Sequence, residues 1–399
     1  MKQIESYFDD FLADIRLTPN QRSDLITGHT TLQERLQKFP GIKDIFVSTF
    51  LQGSYKRGTA VRPQAGKRAD VDVIIVTTLN KDLVTPHQAI DRFIPFVEEH
   101  YKGKYAVQGR SIGIEMSYVD LDIVVTSAPS LVDQKHLRSL SVTTNKSLDE
   151  LTFGLSDWKM ISDWTDPDIL QKGLGVQNLS EAQRKEAEWK LEPLHIPDRD
   201  AGEWVDTHPL EQIRWTRDKN KNTSGNYINI VKALKWWRTL RLTDIKYPKG
   251  YPIEHMIGDC CPDGITSMAE GVCLTLEAIV DRYRANMLLG TVPVLPDRGV
   301  PSHNVWKRIG VDEFKKFYGY IVEYAKIARE AVNATKIQDQ VSKWQQIFGD
   351  KFPDAPDDDG GNKSGGGGPT ILGGFTPRKE TTQPKQGGRF ALWDYGTDG

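Results

Sequence analysis

Two carboxylate pairs, each running straight into an aliphatic stretch, constrain this chain more than any other feature. Asp70 and Asp72 flank Val71 and lead into VIIV at 73–76, while Asp120 and Asp122 flank Leu121 and lead into IVVT at 123–126. Short apolar runs rich in β-branched residues read as buried strands. Alternate side chains of a strand face the same way, so Asp70 and Asp72 point together, and so do Asp120 and Asp122. Charges that lead into buried strands are costly without partners. Two carboxylates held this close also repel each other unless a cation lies between them. A hard dication with oxygen ligands, Mg²⁺ or Mn²⁺, suits that position. The same spacing recurs at Asp166/Asp168, Asp198/Asp200 and Asp357/Asp359. The first two pairs lie among prolines and the last in a polar stretch, so these three read as solvated loops.

A turn completes the pattern. Residues 46–50 (FVSTF) read as another strand, and the chain then passes through Gly53 and Ser54 in LQGSYKRGT, residues 51–59. Glycine lets backbone N–H groups approach a triphosphate, Ser54 can donate a further hydrogen bond, and a helix opening there favours anions. Between this turn and Asp70 lie Lys56, Arg57, Arg62, Lys67 and Arg68. Such a charge run either neutralises phosphate or forms a solvated face. A phosphate-holding turn beside strand carboxylates suits metal-dependent transfer of a nucleotide.

The rest of the chain divides by periodicity. Ile4, Phe8, Phe11, Leu12 and Ile15 recur at helical spacing, and a second helix is expected near 20–38. A third is expected around 86–101, with Ala89, Ile90, Phe93, Ile94 and Val97 on one side. Together with the strands these make residues 1–150 one α/β unit. Residues 151–207 are polar and punctuated by prolines, and read as an irregular surface excursion. From 208 to 353 the spacing is helical, as in Phe314, Phe317, Tyr318, Ile321, Val322 and Ala325. That region reads as a second, helical lobe, with the active site between the lobes. Residues 354–399 contain DDDGGNKSGGGG and few aliphatics, the composition of a disordered tail. Its RFALWDY segment (389–395) and Gly399 suggest a recognition peptide, or a linker with incidental aromatics.

A net charge of −2 argues against a protein that coats nucleic acid, while leaving room for a local basic cleft. Cys260, Cys261 and Cys273 cannot all pair and lack zinc-site spacing, so they read as buried thiols in a reducing compartment. The first residues lack a signal-peptide run and no stretch approaches membrane-spanning length, so the expectation is a soluble, cytoplasmic protein.

Gly53-Ser54, Asp70 with Asp72, and a later strand carboxylate resemble the polymerase-β-like nucleotidyltransferase pattern. Further segments narrow the resemblance to relatives of cyclic GMP–AMP synthase and oligoadenylate synthase. IVKALKWWR (230–238) resembles the helix that carries a triphosphate-binding lysine, and KGYPIEHMI (249–257) the nucleobase-stacking segment. LPDRGVPSHNV (295–305) and GDKFP (349–353) are similar to later landmarks of the catalytic region. The resemblance covers residues 1–353 and fits best the bacterial cyclic-oligonucleotide synthases of anti-phage (CBASS) signalling, D clade.

This resemblance implies an α+β fold, in which a mixed-sheet nucleotidyltransferase lobe and a helical lobe enclose the site. It assigns Asp70, Asp72 and Asp122 as catalytic residues holding two Mg²⁺ or Mn²⁺ ions, and Gly53, Ser54, Lys232 and Lys235 to the triphosphate. Tyr251 is expected to stack on a base with an exposed ring, the alternative being a turn tyrosine packed on Pro252. Trp236 and Trp237 are expected to anchor their helix. The family's third acid is single; Asp122 is chosen because it abuts the apolar run, with Asp120 assisting or sitting at the exposed end. The implied activity makes a cyclic tri- or dinucleotide from ATP and other nucleoside triphosphates, for a separate effector to read. A ubiquitin-activating (E1/E2-like) protein acting on Gly399 is an implied partner; membrane and nucleic-acid partners are not. A linear oligoadenylate or RNA-tailing transferase would use the same residues. A catalytically silent nucleotide-binding scaffold is the alternative from another class.

Overall fold

The computed structural model describes residues 2–64, 66–127 and 193–356. The carboxylate runs form the two central, parallel strands of a seven-stranded sheet. Its strands are β1 (Phe46–Gln52), β2 (Asp70–Thr77), β3 (Tyr105–Val107), β4 (Ile112–Glu115), β5 (Asp120–Ser127), β6 (Leu194–Asp198) and β7 (Glu203–Thr207). The order is β1-β2-β5-β4-β3. Strand β1 is antiparallel to β2 and β4 to β5, which makes the sheet mixed. Hairpin β6–β7 joins β5 at Ser127 and His195.

Period-two alternation decides what each face covers. Val71, Val73, Ile75, Leu121, Ile123 and Val125 pack with Leu25, Leu32 and Leu36 of α2 (Pro19–Lys38) and with Phe96 and Val97 of α5 (Ile94–Tyr101). On the opposite face, Ile74, Val76 and Val124 meet Phe50, Ile196 and Leu210. The aspartates share the parity of this second face, so α2 and α5 lie behind the site and leave its front open.

The helical lobe comprises α6 (Pro209–Asn222), α7 (Tyr227–Arg241), α8 (Tyr251–Cys260), α9 (Met268–Leu289), α10 (Val311–Asn333) and α11 (Ile337–Phe348). Its numbering follows α1 (Lys2–Ile15), the single turn α3 (Gly53–Lys56) and α4 (Pro86–Asp91). Trp237, Trp306 and Trp344 are fully buried in its core.

Four expectations change. Helix α1 belongs to the helical lobe and not to the 1–150 unit: its apolar stripe packs on α7, α9 and α11. Its Glu5 carboxylate accepts the Met268 and Ala269 backbone N–H groups at 2.8 and 3.3 Å, capping α9. An amphipathic stripe says that a helix is buried, but not against what. The helix expected over 86–101 is two, α4 and α5, because Pro95 lacks an N–H and its ring would collide with the Asp91 carbonyl. Residues 194–207 form a hairpin where an irregular excursion was expected. Pro197 is tolerated there because β6 meets β5 only at Ser127–His195. Asp198 is buried and paired with Arg110 at 2.6 Å, while its other oxygen accepts the Asp200 and Ala201 N–H groups. Asp166/Asp168, Asp357/Asp359, residues 151–192, the 389–395 segment and Gly399 lie outside the described residues. The three cysteines are free and buried, as expected. Among the described residues no helix is long and apolar enough to cross a membrane.

Candidate active site

Strands β2 and β5 run in parallel register, so Asp70 lies beside Asp120 and Asp72 beside Asp122. Four carboxylates therefore stand on one face, at the ends of strands whose continuations are wholly buried. The Gly53–Ser54 turn closes over them. Gly53 has φ +73°, and a Cβ at this position would lie 1.8 Å from Asp72 Oδ2. The glycine is thus required twice, for its left-handed backbone and for the carboxylate touching it.

Asp72 is 2% exposed, and its Oδ1 has no hydrogen-bond partner. Burial, then the charges of Asp122 and Asp70, push its pKa well above the ordinary carboxylate range, against Arg57. Asp70, at the exposed start of β2, also has a raised pKa, from desolvation by the neighbouring protein; Lys235 pulls it down and Asp120 adds to the rise. Asp120 itself accepts from Arg68 Nε at 2.8 Å. Among the described residues no three Asp, Glu, His or Cys side chains close tightly enough to cage a metal by themselves. An orphaned, buried oxygen flanked by like charges nevertheless fits a dication whose remaining ligands come from substrate phosphates, the usual habit of Mg²⁺.

In front of the acids lies a cavity of about 300 Å³, walled by Ser54, Ala60 and Asp70 from one lobe and Lys235, Tyr251 and Arg308 from the other. Lys235 donates to the Thr59 carbonyl at 2.9 Å, and its ammonium lies 4.0 Å from Glu254. Burial lowers its pKa, while Glu254 and Asp70 oppose that shift. Lys232, expected beside it, is 1% exposed and does not line the cavity. Tyr251 does line it, but not with an exposed ring: the residue is 6% exposed, and the Arg57 guanidinium sits 5.0 Å from its centroid. Trp237 is buried and Trp236 donates to the Phe348 carbonyl at 3.0 Å, so both anchor α7 as expected.

Sequence reasoning missed the ion pair beneath the cavity. Arg57 Nε meets Glu254 Oε1 at 2.6 Å, with the two side chains 3% and 2% exposed, and Thr59 donates to Glu254 Oε2 at 2.8 Å. Burial alone would raise the Glu254 pKa; Arg57 and Lys235 outweigh it and hold the carboxyl below its ordinary value. The partners are 197 residues apart, so no local pattern signals them. The charge run after Ser54 is largely structural. Arg57 serves Glu254, Arg62 donates to the Arg16 and Ala13 carbonyls, and Arg68 bridges Glu115 and Asp120. Lys56 is buried, which pushes its pKa down to about 7.

Paired strand carboxylates under a glycine turn, facing a helical lobe across a cleft, are the arrangement of a nucleotidyltransferase. Residues 1–147 match the family described as Second Messenger Oligonucleotide or Dinucleotide Synthetase domain. Over 396 residues the chain is 43% identical to a cyclic AMP-AMP-GMP synthase of Enterobacter hormaechei subsp. hoffmannii, covering 98% of this chain and 100% of that one. It is 42% identical, with the same coverage, to a probable cyclic AMP-AMP-GMP nucleotide synthase of Salmonella paratyphi B. The solved CD-NTase CdnG of Bradyrhizobium diazoefficiens, in complex with GTP, shares the fold at a TM-score of 0.62 and 11% identity, over 88% of this chain and 97% of that one. The chain belongs to the bacterial cyclic-oligonucleotide synthases related to cyclic GMP–AMP synthase.

Proposed function

We propose that this chain joins ATP and a second nucleoside triphosphate, GTP, into a cyclic trinucleotide of the AMP-AMP-GMP kind for which its relatives are named. The observation that carries the chemistry is the register of Asp72 beside Asp122 under Gly53. Asp70 and Asp72 would hold one dication on the donor triphosphate, and Asp122 would join them around a second. Two bound Mg²⁺ or Mn²⁺ ions would supply charge neutralisation and a lowered pKa for the attacking hydroxyl. Ser54 and Lys235 steady the triphosphate from opposite lobes, and Tyr251 forms the wall against which the base lies.

The acceptor's ribose oxygen attacks the α-phosphorus in line. The bond from that phosphorus to the β-bridging oxygen breaks, pyrophosphate leaves, and Asp122 takes the hydroxyl proton. Repetition on a linear intermediate, then attack by its own hydroxyl end, closes the ring. The product would be read by a separate effector in anti-phage defence in the bacterial cytoplasm. Incubating the purified chain with all four ribonucleotides and Mg²⁺ or Mn²⁺ tests this reading. The expected product resists phosphatase and has the mass of cyclic AMP-AMP-GMP. A phosphatase-sensitive ladder would establish the linear alternative, and absence of pyrophosphate release the silent scaffold.

A further inference from the structure

Ser54 and Lys235 face the same cavity from different lobes, and one residue beneath it joins them. Gly58, at φ +70°, turns the chain back after α3 and brings Thr59, which has no exposed surface, under Ser54. Every polar group of Thr59 is used there. Its N–H donates to the Ser54 carbonyl at 2.9 Å, its hydroxyl donates to Glu254 Oε2 at 2.8 Å, and its carbonyl accepts from Lys235 Nζ at 2.9 Å. Glu254 fastens this node from α8. Its two oxygens accept Arg57 Nε at 2.6 Å and Arg57 Nη2 at 3.4 Å, while Oε2 also stands 4.0 Å from Lys235 Nζ. The Arg57 N–H in turn donates to the Gly53 carbonyl at 3.1 Å, and the Glu254 carbonyl accepts from the Tyr227 hydroxyl of α7 at 3.3 Å. Neither Thr59 nor Glu254 lines the cavity.

Packing alone does not call for a buried carboxylate, since apolar residues of similar volume join elements at least as stably. Placing a flexible cation does call for one. A free lysine side chain samples many rotamers, and fixing it beforehand removes that ordering cost from binding. An ammonium has three donors, so one spent on Thr59 leaves two for phosphate oxygens. Resting on the reading above, we propose that Glu254 and Thr59 are positioning residues, which hold the Lys235 ammonium at a fixed spacing from Ser54 and so fit the cavity to a triphosphate.

The test measures KM for ATP by pyrophosphate release, and the dissociation constant of an ATP analogue with a methylene group between its α and β phosphorus atoms. Glu254→Gln and Thr59→Val should each raise both constants about tenfold, with kcat at saturating ATP within about threefold of wild type. Thr59→Ser keeps the hydroxyl and should stay within about twofold. In a Lys235→Met background, Glu254→Gln and Thr59→Val should change either constant by less than about twofold, because the group they position is gone. If Glu254→Gln does not fold, the Thr59 pair carries the comparison. A lower kcat with both constants unchanged is the mark of a merely structural role and would overturn the proposal. So would a Thr59→Ser loss as large as that of Thr59→Val, or a full further loss in the Lys235→Met background. A wild type that releases no pyrophosphate would instead sink the activity itself, and the analogue would still decide the positioning.

Discussion

Asp72 is kept where an ionised carboxylate is disfavoured: it is buried, beside Asp122 and Asp70, with one oxygen unpartnered. Its raised pKa means that the folded chain binds this proton more tightly than the unfolded chain. The ligand-free fold therefore loses stability as pH climbs from the ordinary value of 3.8 toward the raised one. Asp72→Asn should abolish nucleotidyl transfer, by about a thousandfold or more, yet stabilise the ligand-free protein by about 1–2 kcal/mol at neutral pH. Calorimetry beside product assays checks both halves, and a lower melting temperature in the variant would contradict the electrostatic account. Gly53 gives the converse case. Gly53→Ala puts a methyl group into Asp72 at a positive φ. It should lower stability by about 1–3 kcal/mol and displace the carboxylate, with activity falling along with the melting temperature.

Helix α8 and the turn after β1 are joined through Glu254 and Arg57, a pair that bridges the two lobes out of reach of water. Removing one partner of such a pair leaves the other charge buried and uncompensated, at a cost of about 3–5 kcal/mol. Glu254→Gln should show that loss in chemical denaturation. The double variant Arg57→Met with Glu254→Gln should lose less than the two single losses combined, and strict additivity would argue that the pair is not coupled. The carboxylate strands and the glycine turn were legible in the sequence because their signals are local: acids two apart, then an aliphatic run. The Arg57–Glu254 pair was not, since its partners lie on separate elements and only tertiary packing joins them. For the same reason the charge run containing Arg62 and Arg68 left phosphate neutralisation and a solvated face both open, whereas carbonyls of the α1 terminus and Asp120 take these two side chains. Tyr251 lines the cavity but lacks the exposed ring expected of it, because a cation from the other lobe covers that ring.

The chain starts in the helical lobe, crosses to build the sheet, and returns to complete the lobe it began in. Helix α1 is the piece that makes this closure matter for the site. Its Phe8 ring lies 4.9 Å from Trp344 and 5.1 Å from Phe352, with no exposed surface. Its C-terminal end grips the segment that walls the cavity: the Ile15 carbonyl accepts the Arg62 N–H at 2.6 Å, and the Arg16 carbonyl accepts Arg62 Nε at 3.0 Å. Arg16 in turn donates to Asn229 of α7 at 2.9 Å. Core packing at residue 8 is thereby tied to the segment between Ser54 and Asp70. Phe8→Ala should destabilise the protein by about 3–5 kcal/mol, the range for losing a buried aromatic. It should also loosen the cavity wall, so that trypsin cuts at Lys67 and Arg68 sooner than in wild type. If α1 served only as a lid on the helical core, the denaturation midpoint would fall while cleavage at those two residues stayed at the wild-type rate.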